Sequence, residues 1–498
     1  MTRFGRRCAG QLCRMVASAS LALAVGSAAQ DTPSLTRVAE LIRSGQIEQA
    51  VRMADRLSEA APADPRPRTL KGVALAALGR TEEALGVYAS ALTLAPDYLP
   101  ALQGAAELEM RLGRAQAAGR LERIVRLQPE NRTAHAMLGV IAYRARDCER
   151  ALEHFTRGEA VVVGDAEALR QRAECRFSLG RFDQAAEDFR RLLAEPKANP
   201  AMRYNLGLAL YEAGRADEAV AELAAVVDSA DPPDIETLSL LADAQHAALD
   251  SPGALATLQR AIGSHPRAER LYLQLAELCI EHGAYDLGVE IVDIGEQNIP
   301  ASHRILTMRG ILLAELGRYD EAETAFAGAA EADSDTQSAT VGLSLTLQKT
   351  GRMDESLEVL RQRVAARPDD AVAQFFYSQA LIKQGVEPGS PGFREALEGL
   401  FLAAERLPGE SSPRIELGKL YLRAEQPDRA IAVLEKAAQL APDDRQATYN
   451  LMIALRRVGR ADEAAALAVR MREQLERAQD QEIQRNRYRL VRIGQQRP

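Results

Sequence analysis

The chain has 498 residues and a formal net charge of −8, with 62 Lys and Arg against 70 Asp and Glu. This balance argues against nucleic acid as a partner, because binding to a phosphate backbone depends on an excess of Lys and Arg. Hydrophobic residues make up 47% of the chain but aromatic residues only 4%, and Trp is absent. A core of this composition must consist of closely packed helices rich in Ala and Leu, so we predict an all-α fold.

The first 29 residues have the pattern of a secretory signal peptide. They contain four Arg and no acidic residue, residues 15–29 are uncharged, and Ser27, Ala28 and Ala29 precede Gln30. The apolar stretch is shorter than the roughly 20 residues that a membrane-spanning helix needs. We therefore expect export to the bacterial periplasm or medium after cleavage behind Ala29, with no transmembrane segment in the mature chain. An organellar transit peptide is the alternative interpretation.

From residue 31 onwards, one sequence pattern recurs about every 34 residues. Residues 78–84, 316–322 and 458–464 all read Leu or Val, Gly, Arg, any residue, Asp or Glu, Glu, Ala. This block fixes the register of thirteen tandem units, which we predict to start at residues 31, 65, 99, 132, 166, 200, 235, 269, 303, 337, 371, 411 and 445.

Several positions of the unit predict a pair of helices. Position 15 is Gly in ten of the thirteen units, and Gly adopts the left-handed conformation past the end of a helix without steric cost. Position 20 is small in all thirteen units, while position 24 is large, as in Tyr88, Phe155 and Phe326. Pro at position 32 of six units stops the second helix. Each unit should therefore contain two closely packed helices.

This pattern, from residue 31 to residue 478, resembles the tetratricopeptide repeat family. The resemblance implies an α-solenoid in which helix pairs stack into a right-handed superhelix, with the first helices lining a concave groove. The absence of Trp at position 4 is a departure from the family pattern. Contacts between adjacent repeats should provide the stability. Residues 479–498 are then expected to form a polar capping helix and tail.

No motif of catalytic or metal chemistry is found in the sequence. The six His form no His-x-x-x-His pair or Cys/His ligand cluster, and there is no P-loop, dinucleotide-binding glycine motif or Gly-x-Ser-x-Gly elbow. The predicted repeats fill the chain behind the signal peptide and leave no room for a separate catalytic domain. We predict a protein that is not an enzyme and that has no cofactor and no metal site.

Three of the five Cys, namely Cys148, Cys175 and Cys279, lie behind the predicted cleavage site. Cys148 and Cys175 are in adjacent repeats and are the candidate pair for one disulfide. Bridging needs Cα atoms within about 7 Å, which the spacing does not establish. The favoured interpretation is therefore that these Cys are buried thiols.

The first candidate binding surface contains an aromatic residue at position 12 of three consecutive repeats. Helical spacing places positions 2, 5, 6, 9, 12 and 13 of the first helix opposite its packed side. Aromatic residues and Arg are the types that dominate protein-binding hot spots. The predicted partner groove comprises Tyr143, Arg170, Gln171, Phe177, Tyr204, Asn205 and Tyr211. The alternative interpretation is that the aromatic residues pack between first helices.

A second candidate surface is formed by Phe375 and Phe376, beside the insertion at residues 386–391. Gly and Pro in this insertion predict an irregular loop, and loops on rigid scaffolds often carry binding residues. A tolerated insertion without function is the alternative.

The resemblance to the tetratricopeptide repeat family implies a scaffold that binds a protein or peptide partner. An accessory subunit of an envelope polysaccharide or glycosyl-transfer system and a receptor for a peptide signal are two further hypotheses.

Overall fold

The computed structural model describes residues 33–194, 200–230, 233–333 and 335–472. These residues form helices joined by short turns, and no β-strand occurs among them. The all-α prediction is confirmed. The predicted signal peptide at residues 1–29 and the predicted cap and tail at residues 479–498 lie outside the described residues. No helix in the described part of the chain is long and apolar enough to cross a bilayer.

The chain divides into two compact units, Met1–Thr257 and Leu258–Pro498. The helices of the first unit are α1 (Pro33–Arg43), α2 (Ile47–Ala60), α3 (Pro65–Ala77), α4 (Thr81–Leu94), α5 (Leu99–Arg111), α6 (Gln116–Leu127), α7 (Arg132–Arg144), α8 (Cys148–Arg157), the short α9 (Glu159–Val162), α10 (Ala166–Ser178), α11 (Phe182–Leu193), α12 (Pro200–Glu212), α13 (Ala216–Asp228) and α14 (Ile235–Ala247). The boundary between the units lies within α15 (Ser251–Ser264).

The second unit continues the same arrangement. Its helices are α16 (Glu269–Glu281), α17 (Tyr285–Asn298), α18 (His303–Glu315), α19 (Tyr319–Ala332), α20 (Gln337–Lys349), α21 (Met353–Ala366), α22 (Ala371–Gln384), α23 (Pro391–Arg406), α24 (Ser412–Arg423), α25 (Pro427–Leu440), α26 (Arg445–Arg457) and α27 (residues 461–472).

Within each unit, most helices pack against the next one along the chain, and first helices of adjacent repeats also touch. Examples of such first-helix contacts are α7 with α10 in the first unit and α24 with α26 in the second. Each unit is therefore an α-solenoid, as predicted. The exact repeat boundaries remain a prediction and are used below only to number the repeats and their positions.

The turn between the two helices of a repeat depends on a left-handed residue at position 15. The backbone φ is positive at all ten Gly of this position, for example +75° at Gly79, so the predicted role of Gly is confirmed. Three repeats hold another residue there, Arg146, Leu249 or Glu425, and these also have positive φ of 61°, 64° and 57°. The turn geometry is thus kept even where the side chain opposes it.

The Arg and Glu of the recurring block pair with each other across the start of the second helix. Arg80 donates to both carboxylate oxygens of Glu83, at 2.7 and 2.6 Å. The same pair occurs as Arg215–Glu218, Arg318–Glu321, Arg352–Glu355 and Arg460–Glu463. Because these pairs are exposed, each contributes little to stability. They nevertheless explain why Arg and Glu recur with a spacing of three residues.

Adjacent repeats interlock through the large residue at position 24. Phe326 of α19 is 2% exposed, and its ring lies against Gly310 of its own repeat and Gly342 of the next. A Cβ atom at Gly310 would lie only 2.7 Å from the ring, and one at Gly342 would also overlap it. Tyr88 occupies the corresponding place between two Gly in the first unit. Small residues on two first helices therefore form the space for one aromatic ring.

The prediction of buried thiols was wrong for Cys148 and Cys175, which form a disulfide with a Cα–Cα distance of 5.0 Å. Cys148 begins α8 in repeat 4, and Cys175 lies in α10 of repeat 5. The contact between these two helices brings the sulfur atoms together, which sequence spacing alone did not reveal. Cys279 is a buried free thiol, and burial raises its pKa.

Candidate partner-binding site

Three residues at position 12 define what we call the aromatic row: Tyr143 of α7, Phe177 of α10 and Tyr211 of α12. Each lies near the carboxyl end of its helix, and each is half-buried. Phe155, by contrast, lies at position 24 of its repeat and has 0% exposure. The aromatic row therefore retains surface that a partner could contact.

Tyr143 connects α7 to α10 through a carboxylate. Its hydroxyl donates to Glu174, and Arg170 donates to the same carboxylate and to Glu167, with Nη2 at 2.5 Å from Oε1. Burial and the neighbouring Glu174 raise the pKa of Tyr143. Burial opposes the charge of Arg170, but Glu167 and Glu174 outweigh this effect and raise its pKa. Arg170 is thus charged and already compensated by two carboxylates, so it does not present a free cation.

Gln171 lies differently from the prediction, which placed it on the open face of the first helix. Its side chain is buried, with 4% exposure, and Nε2 donates to Glu167 at 2.9 Å. Its Oε1 has no hydrogen-bond partner among the described residues. Position 6 is also buried at Leu70 and Met137. In these repeats position 6 belongs to the packed interior, so Gln171 is a poor contact for a partner.

The remaining predicted residues lie on α10 and α12. Phe177 packs edge-to-face against Phe182, the first residue of α11, with ring centroids 5.2 Å apart. Tyr204, Asn205 and Tyr211 are half-buried on α12, and burial raises the pKa of Tyr211. The structure therefore joins Tyr143, Arg170 and Gln171 through two carboxylates and places the other four residues on the adjoining helices.

A surface cleft of about 670 Å³ adjoins the aromatic row. It is lined by Tyr143, Cys148, Ser178 and Leu179, together with residues of the turn between α7 and α8. Leu179 is 36% exposed. The disulfide forms part of the wall, so the cleft is bounded by two repeats that are covalently joined.

The second candidate surface lies in the second unit. Phe375 and Phe376 are half-buried on α22, with ring centroids 5.2 Å apart in an edge-to-face arrangement, and both pack against the apolar core. The insertion at residues 386–391 leads directly into α23, where Ser390 caps the helix by accepting from the amide of Phe393 at 3.2 Å. The two rings are therefore partly packed against the core and partly exposed at the surface.

Comparison with known families identifies the repeats. The family model described as tetratricopeptide repeat matches residues 35–98, 104–161, 170–235, 291–336, 307–371 and 415–476. The chain belongs to the tetratricopeptide repeat family. The resemblance predicted from the sequence is confirmed. No curated protein matches the chain.

Several solved structures are similar to this tetratricopeptide repeat protein. Yeast Tom70 is 16% identical, with a TM-score of 0.43, and the match covers 94% of this chain and 99% of Tom70. The Cut9–Hcn1 hetero-tetramer of the APC/C is 11% identical, with a TM-score of 0.37 and coverage of 89% and 98%. YrrB, a TPR protein with an unusual peptide-binding site, is 21% identical, with a TM-score of 0.29 and coverage of 39% and 96%.

Sequence reasoning missed Glu167 and Glu174 as members of the first candidate surface. Their spacing carried a usable signal, because Glu167 precedes Arg170 by three residues and Glu174 follows it by four, which places all three on one helix face. In the described residues of this tetratricopeptide repeat protein, no group of three or more His, Cys, Asp or Glu is arranged to hold a metal ion.

Proposed function

We propose that this protein is an exported scaffold that binds protein segments on the first helices of its tetratricopeptide repeats. Membership of the family supports a role in protein–protein interaction. The observation that carries the proposal is the aromatic row, in which three successive first helices each keep a half-buried aromatic side chain at the same position. In this proposal the chain supplies a binding surface and no catalytic chemistry.

Two features support export to the periplasm or the medium. Residues 1–29 have the charge and apolar pattern of a signal peptide. The disulfide between Cys148 and Cys175 fits an oxidising compartment, because such bonds are rare in the reducing cytosol. The signal-peptide pattern and the disulfide both support a location outside the cytosol.

The aromatic row is tested by replacing Tyr143, Phe177 and Tyr211 together with Ala. We expect the triple variant to lose partners captured by crosslinking in cells. Because the three rings are half-buried, each truncation should cost less than the roughly 3–5 kcal/mol typical of a core Phe. Thermal unfolding and mass spectrometry of crosslinked proteins measure the two effects together. Phe401→Ala, at a ring that is 55% exposed on a second helix, is the control and should keep both stability and partners.

Two results would contradict the role of the aromatic row. One is a triple variant of unchanged stability that retains every crosslinked partner. The other is a loss of stability as large as that of a core aromatic residue, which would assign the rings to the interior. In either case the binding site would have to lie elsewhere on the repeats.

Export predicts a mature chain that begins at Gln30. We expect the intact mass of protein purified from its native host to equal that of residues 30–498, because Ser27, Ala28 and Ala29 form a small-residue cleavage site. Replacing Ala29 with a bulky residue such as Phe should slow or shift the cleavage. Recovery of a cytosolic protein that retains Met1 would rule out export.

A further inference from the structure

The first helices of the last four repeats are strongly basic, although the whole chain is acidic. The helices α20, α22, α24 and α26 together carry eight Arg or Lys and one Glu. The first helices of the four preceding repeats, α12, α14, α16 and α18, carry four basic and seven acidic residues. The eight basic residues are Lys349, Lys383, Arg414, Lys419, Arg423, Arg445, Arg456 and Arg457. Positive charge is therefore concentrated in one part of the second unit.

Four of these side chains recur at position 13 of successive repeats, and we call them the basic row. All four are exposed, and among the described residues none has a carboxylate within ion-pair distance. The basic row consists of Lys349, Lys383, Arg423 and Arg457. Arg residues at the starts of second helices are instead paired with Glu, as described above. The charge of the basic row is thus left for another molecule to neutralise.

Uncharged acceptors orient three of the four side chains of the basic row. Lys383 donates to the side-chain oxygen of Gln348 in the preceding repeat, at 2.8 Å. Arg457 likewise donates to the backbone carbonyl of Leu422 at 2.5 Å, and Arg423 donates to a backbone carbonyl of the insertion at 2.5 Å. Each bond reaches from one repeat to the previous one. A neutral acceptor orients a cation without cancelling its charge, and this arrangement favours an anionic ligand.

A cleft of about 500 Å³ lies on the same group of helices. Its lining includes Lys419, Arg445, Tyr449, Asn450 and residues next to them on α26 and α27. Lys419 is paired with Glu416 at 2.8 Å, whereas Arg445 is exposed. Apolar surface accompanies the charge, because Tyr449 is 47% exposed and Leu345 of α20 is 37% exposed. A matching ligand would combine negative charge with apolar side chains.

The segments of this chain outside the described residues do not have the matching charge. Residues 1–32 contain four Arg and one Asp, and residues 473–498 contain six Arg and four acidic residues. Both segments are net basic, so neither is electrostatically complementary to the basic row. We therefore take the complementary ligand to be another molecule.

We propose that the first-helix face of repeats 10 to 13 binds an acidic protein segment in which Asp and Glu alternate with apolar residues. This inference rests on the proposed function as a protein-binding scaffold and assigns it a partner chemistry. Carboxylates of the segment pair with the basic row, and its apolar side chains contact Leu345 and Tyr449. Unscreened charge of one sign also accelerates association with a partner of the opposite sign.

The test uses two variants with the same change in net charge. The row variant replaces with Gln two residues of the basic row and two further exposed Arg of α26: Lys349→Gln, Lys383→Gln, Arg445→Gln and Arg456→Gln. The control variant replaces four exposed basic residues of second helices in the same unit: Arg361→Gln, Arg394→Gln, Arg406→Gln and Lys436→Gln. Arg423 and Arg457 are left unchanged because their bonds to backbone carbonyls also serve packing. Circular dichroism verifies that both variants are folded.

The probe is a fluorescein-labelled peptide made of four copies of Asp-Glu-Leu-Glu, and its affinity is measured by fluorescence anisotropy. We expect the unchanged protein to bind it at low salt and more weakly as salt rises. The row variant should bind about tenfold or more weakly, which corresponds to about 1.4 kcal/mol, and the control variant should stay within about twofold. The amide counterpart, Asn-Gln-Leu-Gln, should not bind.

Four results would overturn the inference: no binding of the acidic peptide, equal binding of the amide peptide, equal weakening in both variants, or a row variant that binds normally. Dextran sulfate, a polyanion without apolar side chains, should bind more weakly than the peptide, and equal or tighter binding would assign the surface to polyanions in general. Sedimentation that shows a dimer lost in the row variant would assign it to a second copy of the chain.

The inference and the proposed function fail separately. The row variant could still capture, by crosslinking in cells, every acidic partner that the aromatic-row variant loses. In that case repeats 10 to 13 are not the binding site for the acidic segment, but the scaffold function stands. If no protein is crosslinked to the unchanged chain, the scaffold function itself fails.

Discussion

Replacing Asp188 with Ala is expected to destabilise the first unit by about 3–5 kcal/mol, because the change removes the nearest carboxylate of a buried cation and of a half-buried one. Asp188 is fully buried on α11. Arg172, which is 2% exposed, donates to it from Nε at 2.9 Å and from Nη2 at 2.6 Å, and Arg176 donates to it at 2.7 Å. Burial and the charge of Arg172 already lower the pKa of Arg176. Asp188 is the carboxylate that both Arg share.

Urea denaturation followed by circular dichroism measures the effect. The triple variant Arg172→Met, Arg176→Met, Asp188→Leu should recover most of the lost stability, because it removes the carboxylate together with both cations instead of the carboxylate alone. Glu83→Ala, which breaks an exposed Arg–Glu pair, is the control and should hardly move the midpoint. If Asp188→Ala is as mild as this control, the interior of repeat 5 must admit water or rearrange around the two Arg.

Phe326→Ala is expected to destabilise the second unit by about 3–5 kcal/mol, because truncation of a buried Phe loses apolar burial and leaves a cavity. The ring fills the space between Gly310 and Gly342, which cannot close the cavity with side chains of their own. Since Gly310 and Gly342 belong to different first helices, the change also weakens the contact between repeats 9 and 10. Hydrogen exchange should therefore lose protection first around these two repeats.

Denaturation and hydrogen exchange of Phe401→Ala provide the comparison. Phe401 also lies on a second helix but is 55% exposed, so its truncation should change stability by about 0.5 kcal/mol or less. Two results would contradict this account of the interlocking: equal losses for the two variants, or a uniform loss of protection along the second unit after Phe326→Ala.

The fold was predictable because the same sequence pattern, with the same effect on local structure, recurs in each repeat. Gly at position 15 indicated the left-handed turn, and the structure keeps that turn even at Leu249, where φ is 64°. A conformation that ten Gly predict is thus imposed on the exceptions by the packing of the two helices. Repetition made the pattern recognisable even in repeats that lack one of its residues, such as the repeat with Leu249 at position 15.

The candidate site was less predictable, because it depends on contacts between repeats. Helical spacing placed Gln171 on the open face of the first helix, but the structure shows that Gln171 is buried. The exposure of a residue depends also on the side chains that the neighbouring repeat packs against it. In the same way, Arg170 was predicted to be part of the partner groove, yet its charge is paired with Glu167 and Glu174. The three side chains of the aromatic row are half-buried, and their binding role remains a prediction.

The disulfide alters how the solenoid would respond to mechanical force. A chain of stacked helix pairs can lengthen under tension by releasing its repeats in turn. The bond between Cys148 and Cys175 closes a loop with a sequence separation of 27, and this loop spans the junction between repeats 4 and 5. While the bond is intact, the loop bears no load, and the fully stretched chain is shorter by about 90 Å, at roughly 3.3–3.6 Å per residue. Under oxidising conditions the segment between the two Cys therefore cannot be stretched, while the rest of repeats 4 and 5 can.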